Sequence, residues 1–231
     1  MTDIEFILER MREYQQSPRK PTAEWMAKRE LAAQLRRLNN LICSTAASEE
    51  HIRELAVALK EHADHFEAED VALNGLDPNV RVVGEGLRDF TDASPLVGLA
   101  NPISPPATFE MDLDARLVRG EVTFGRSMGG APGRVHGGLV AAVLDEALGR
   151  ACIFAGAPAM TAEFTTRYLG PTPVETPLLI EARLDDVDGR RIRTSGELYD
   201  GDTNIVEANG LFIGVDTDRF RAFFDDLSRS D

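Results

Sequence analysis

The sequence predicts an α+β protein: an antiparallel sheet wrapped around one long central helix, with an N-terminal helical hairpin as an extension. Three observations predict it. Residues 137–154 form a long apolar stretch rich in small side chains, the only long helix apolar enough to serve as a core. Strand-like alternation flanks that stretch on both sides, at 108–124 and again from 162 to 215. Residues 22–73 carry their apolar side chains at helical spacing instead. The chain accordingly divides into a helical extension at 1–73, an irregular wrapping segment at 74–107 and a sheet-and-helix domain at 108–231.

The first twenty residues read as helix. After Pro21-Thr22, Trp25, Leu31, Leu35, Leu38 and Ile42 recur along one helix. Ser48 opens a second, with Glu49 and Glu50 where acids suit the positive end of the dipole. Ile52, Leu55, Leu59 and Phe66 repeat along it, and Asn74-Gly75 supplies a stop. From 74 to 107, Pro78, Pro95, Pro102, Pro105 and Pro106 rule out long regular elements. The apolar content of 94–102 favours a segment that wraps the domain over a free linker.

Phe109, Met111 and Leu113 share one strand face, and Val118, Val122 and Phe124 another. Beyond the central helix, alternation marks strands at 162–168, 178–185, 192–198 and 205–215. Asp188-Gly189 and Asp200-Gly201 are tight hairpin turns, so these strands read as a four-strand antiparallel meander. Phe220, Phe223, Phe224 and Leu227 suggest a short C-terminal helix.

Acids outnumber bases 39 to 25 in 231 residues, a formal charge of −14. Such a chain repels phosphate backbones and anionic bilayers, so neither nucleic acid nor a membrane is an expected partner. The start has no signal-peptide pattern and no stretch nears the length of a membrane span, which predicts a cytoplasmic protein. Cys43 and Cys152 each fall in a helical pattern and read as two buried thiols, not a disulfide. His62 and His65 lie one turn apart among acids. A metal site needs three or four converging ligands, so they read as a solvated face, and no metal or cofactor is expected. The excess of basic over acidic residues in the first 45 is too small for a DNA-binding helix pair.

The chemistry concentrates at the start of the central helix. Gly137 and Gly138 occupy its first turn, where backbone N–H groups lack intrahelical partners. Bare donors at the positive end of a dipole suit a carbonyl oxygen gaining negative charge. Equally, the glycines relieve crowding between strand and helix, with His136 as a cap. Asp145 then stands in the middle of an apolar helix, where an unpartnered carboxylate is costly. Either it reaches a solvated edge or a backbone donor, or it faces a cleft.

His136-Gly137-Gly138, six residues and Asp145 together resemble the signature of the hotdog-fold acyl-CoA thioesterases of the phenylacetate-degradation (PaaI-like) type. The approach at 130–135, the following Met160-Thr161-Ala162-Glu163-Phe164, and Tyr168-Leu169-Gly170-Pro171-Thr172-Pro173 are similar to the family as well. The resemblance covers residues 90–216 and leaves the helical extension outside. It implies hydrolysis of an acyl-CoA by a homodimer, or a tetramer made of two dimers, with sheets joined edge to edge and active sites at the interface. Asp145 is then the catalytic nucleophile or general base, and the Gly137 N–H the oxyanion donor. Gly138 assists in binding, Thr161 positions water or substrate, and His136 holds the turn. Some relatives carry an Asn six residues before the His, where this chain has Gly130. Asn101, in the apolar loop 101–106, is a candidate for lining the acyl tunnel. Arg167, Arg183, Arg190, Arg191 and Arg193 are candidates for the CoA phosphates. The alternative is a hotdog protein that binds acyl-CoA without hydrolysing it, as sensor or scaffold. A dehydratase is disfavoured, because the domain holds only one histidine.

Overall fold

The structure is a computed structural model that describes residues 9, 12, 21–68, 92–156 and 159–215. Of the helix expected over the first twenty residues only 9 and 12 are described, both helical, and the expected helix at 220–227 and the stop at Asn74-Gly75 lie outside the described residues.

Helix α1 (Ala23–Ile42) starts at Thr22, whose hydroxyl accepts from the Trp25 N–H at 3.3 Å. Helix α2 (Glu49–Ala68) starts at Ser48, whose hydroxyl accepts from the His51 N–H, and Glu49 and Glu50 follow in its first turn. The sheet domain then runs β1 (Thr108–Asp112), β2 (Leu117–Thr123), β3 (Gly129–Ala131), β4 (Arg134–Val135), α3 (Gly137–Ala151), β5 (Ala159–Tyr168), β6 (Pro177–Asp188), β7 (Arg191–Asp200) and β8 (Thr203–Gly214). Six strands form one sheet in the order β1-β2-β6-β7-β8-β5, every pair antiparallel, while β3 and β4 pair separately.

The hairpins at 189 and 201 form as the sequence suggests, each with its glycine at φ +58°. The meander, however, has three strands and not four. β5 pairs with β8 at the far edge, and β6 pairs with β2. The cause lies in residues 169–176, which contain Gly170, Pro171 and Pro173 and are too long and too poor in N–H donors for a tight turn. This connection instead crosses the approach to α3, where Thr172 O accepts from the Val135 N–H at 2.9 Å.

α3 lays Val140, Val143, Leu144, Ala147, Leu148 and Ala151 onto the concave face of the sheet. Facing them are Val118, Leu178, Ile180, Ala182, Leu198, Val206, Ala208 and Phe212, all at most 1% exposed. The helix comes close enough that a Cβ on Gly196 would sit 2.7 Å from Leu148 Cδ1. Sheet alternation, buried inward and exposed outward, is cleanest in β2 and β6.

α1 docks by a largely polar face. Arg29 makes a two-pronged ion pair with the buried Asp92, at 2.7–3.1 Å. Arg36 Nη1 donates to Leu99 O and Asn101 O, and Asn40 Oδ1 accepts from the N–H and hydroxyl of Ser127. Of its apolar residues only Ala32 is buried. Leu31 and Ile42, two of the residues that recur at helical spacing, are exposed. Because α1 ends at the surface, Cys43 is exposed as well, which corrects the expectation of two buried thiols; Cys152 alone is buried. α2 buries none of its described side chains, and His62 and His65 are exposed on it.

Candidate active site

The β3–β4 hairpin turns at Gly133, φ +69°, and delivers the chain to His136, the N-cap of α3. His136 Nδ1 accepts from the Gly138 N–H at 3.1 Å. That bond fixes the proton of the neutral ring on Nε2 and ties up the Gly138 donor. Gly137 is the first helical residue, and its N–H is one of the donors for which helix geometry provides no partner. Its carbonyl accepts from the Tyr168 hydroxyl at 2.7 Å. A Cβ at 137 would stand 3.1 Å from that hydroxyl oxygen, so glycine is what admits the phenol. A Cβ at Gly130 would lie 2.9 Å from His136 Cα. The hairpin thus folds back on the histidine only because residue 130 has no side chain, and the asparagine that some relatives carry there has no room.

Asp145 sits two turns further on, on the face of α3 away from Val140, Val143 and Ala147. It is half-buried, not sequestered. Its Oδ1 accepts from the Thr161 hydroxyl at 2.9 Å, which ties the helix to β5. Gly138, Ala141 and Ala142 share this open face, so small side chains surround the carboxylate. Nearby, burial and then the Asp145 charge push the Cys152 thiol up to about 12, so it is no nucleophile at neutral pH.

Eight residues separate Gly137 from Asp145, which is about 12 Å along a helix axis. One substrate carbonyl cannot touch both groups of the same chain. Thr161 and Asp145 are brought together, His136, Gly137 and Gly138 form a second cluster, and Asn101 joins neither. Its side-chain amide serves its own loop, donating to Ala93 O and accepting from the Ile103 N–H. Of the five arginines suggested for phosphate, Arg167, Arg183 and Arg193 are ion-paired across the sheet and Arg190 binds Gly214 O. Sequence reasoning missed Tyr168 as a site residue. It lay in an alternating strand, and only the strand's course past the helix start reveals its contact with Gly137.

A cavity of about 760 Å³ lies elsewhere, between α1, residues 95–106 and the Leu139–Val143 side of α3.

A model of the thioesterase superfamily matches residues 132–207. The crystal structure of a thioesterase superfamily protein is 31% identical, with a TM-score of 0.70, over 85% of this chain and 97% of that one. The chain belongs to the thioesterase superfamily. Its six-stranded sheet around α3 is the hotdog fold of that superfamily. Acyl-coenzyme A thioesterase THEM4 of Xenopus laevis is 31% identical over 86 residues, 36% of this chain and 39% of the relative. THEM4 of Bos taurus is 36% identical over 92 residues, 39% of this chain and 38% of the relative. The match thus spans about two fifths of the length of these curated relatives. No described helix of this thioesterase superfamily chain is long and apolar enough to cross a membrane.

Proposed function

We propose that the protein hydrolyses acyl-CoA thioesters to the free acid and CoA at a site shared by two copies. Asp145 attacks the thioester carbon or activates water for that attack, and a Gly137 N–H from the other copy receives the oxyanion. The observation that carries this reading is the Thr161–Asp145 hydrogen bond on the open face of α3. A carboxylate is oriented there by a hydroxyl, beside small residues, within a superfamily defined by thioester cleavage.

The 12 Å offset along α3 supports the two-copy arrangement, since the second group must come from another chain. So does β5. It is a ten-residue edge strand with exposed side chains along most of its length, and an open edge of that length favours pairing with another copy. Pairing there would set two α3 helices side by side along their small-residue faces. The THEM4 relatives, named as acyl-coenzyme A thioesterases, support the substrate class.

The test is a panel of acyl-CoA esters, short, long, aromatic and hydroxylated, assayed for released thiol. Asp145→Asn is expected to fold and assemble as the wild type while hydrolysis falls at least about a hundredfold. Near-normal turnover would remove Asp145 from the mechanism. Tight binding with no thiol released from any ester would favour the sensor or scaffold.

A further inference from the structure

The cavity beneath α1 contains none of the residues assigned to hydrolysis. Its volume is within the roughly 300–1,000 Å³ typical of small-molecule sites. Phe124, Met128, Leu139 and Val143 supply much of its apolar wall. Two of its polar lining residues stand out. Ser104 lines it, is fully buried, and its hydroxyl has no hydrogen-bond partner among the described residues. A buried hydroxyl left unpaired costs free energy that a ligand's oxygen would recover. The second feature is Arg36. Its Nη1 protons are spent on Leu99 O and Asn101 O, at 2.9 and 2.8 Å, which fixes the plane of the guanidinium. Nε and Nη2 remain as the two-pronged edge that matches a carboxylate. No carboxylate pairs with Arg36 among the described residues, and partial burial lowers its affinity for its proton. The other charged residue in the lining, Glu175, is already held by Arg126 at 2.7 Å. Among the described residues, the lining therefore carries one uncompensated positive charge at the edge of an apolar chamber.

We propose that this cavity binds a monocarboxylic acid with an apolar tail. The carboxylate sits on the Nε–Nη2 edge of Arg36, accepting also from the Ser104 hydroxyl, and the tail runs along Phe124, Met128, Leu139 and Val143. The site is separate from Asp145, which points from the opposite side of α3, and it does not depend on the hydrolytic reading. It gives α1 a purpose that the catalytic domain alone does not require: the helix supplies the anion's partner.

Decanoate is a suitable probe, with decanol as its uncharged counterpart. Binding is read by calorimetry and by the rate at which Cys43, on the cavity lining, reacts with a thiol reagent. Cys152 is silent in that assay, being buried with its thiol pushed up to about 12. Decanoate should bind saturably, one per chain, and slow Cys43 labelling, and decanol should bind at least about tenfold more weakly. Arg36→Gln should weaken decanoate at least about tenfold. Because that change also loosens α1, Ser104→Ala provides the second variant. It removes an unpaired hydroxyl, so it should keep the wild-type Tm and still weaken decanoate several-fold. Asp145→Asn should bind decanoate as the wild type does, whatever its turnover. No saturable binding, equal binding of decanol, or unchanged affinity in Arg36→Gln and Ser104→Ala would each overturn the proposal.

Discussion

Gly137 owes its place to two demands, one steric and one chemical. Its missing side chain makes room for the Tyr168 hydroxyl, and its N–H heads a helix with no internal acceptor. A substitution can separate these demands. Proline suits the first helical position, and His136 has the extended backbone, ψ 125°, that a residue before proline prefers. Gly137→Pro therefore deletes the N–H while leaving the helix start in place. Gly137→Ala imposes similar crowding on Tyr168 but keeps the donor. Thioester hydrolysis by the proline variant is expected to fall a hundredfold or more, roughly the loss seen when an oxyanion donor is removed, with the alanine variant far less impaired. Equal rates in the two variants would show that this N–H takes no part. The cluster was legible at this scale because HGG and an acid in the middle of an apolar helix are conspicuous in sequence. Tyr168 was not, since nothing local to residue 168 indicates which helix its hydroxyl meets.

Among the elements, α3 and the strands announced themselves through periodicity, because burial on one face forces it. α1 was legible as a helix but not in how it docks. Its periodic leucines suggested apolar packing, whereas Arg29, Arg36, Asn39 and Asn40 make the attachments, across 63 or more residues of sequence. Polar contacts of that range leave no periodic trace. The Arg29–Asp92 pair is the one with a buried partner, the Asp92 side chain being 5% exposed. Arg29→Met should destabilise the protein by roughly 3 kcal/mol, since it strands a buried carboxylate. Adding Asp92→Leu should restore most of that loss. Thermal unfolding checks both, and a single variant as stable as the wild type would show that the pair does not hold α1.

For the molecule as a whole, the sequence predicted the helix-in-sheet architecture but misplaced one strand. Alternation reports that a strand has two unlike faces and says nothing of which neighbour it pairs with. Only the crossing of residues 169–176 moves β5 to the far edge, beside β8, and leaves it open. That displacement matters, because it puts the strand carrying Thr161 at an edge of the sheet.

The distance along α3 between the amide and the acid also has a genetic consequence. If each catalytic centre borrows its donor from one chain and its carboxylate from another, two dead proteins can repair each other. Asp145→Asn and Gly137→Pro, each inert alone, should regain activity when unfolded and refolded together. Every hybrid pair would contain one centre with both defects and one with neither, so random reassortment returns about a quarter of the native rate. A mixture that stays as inactive as its parents would place the whole reaction within a single chain.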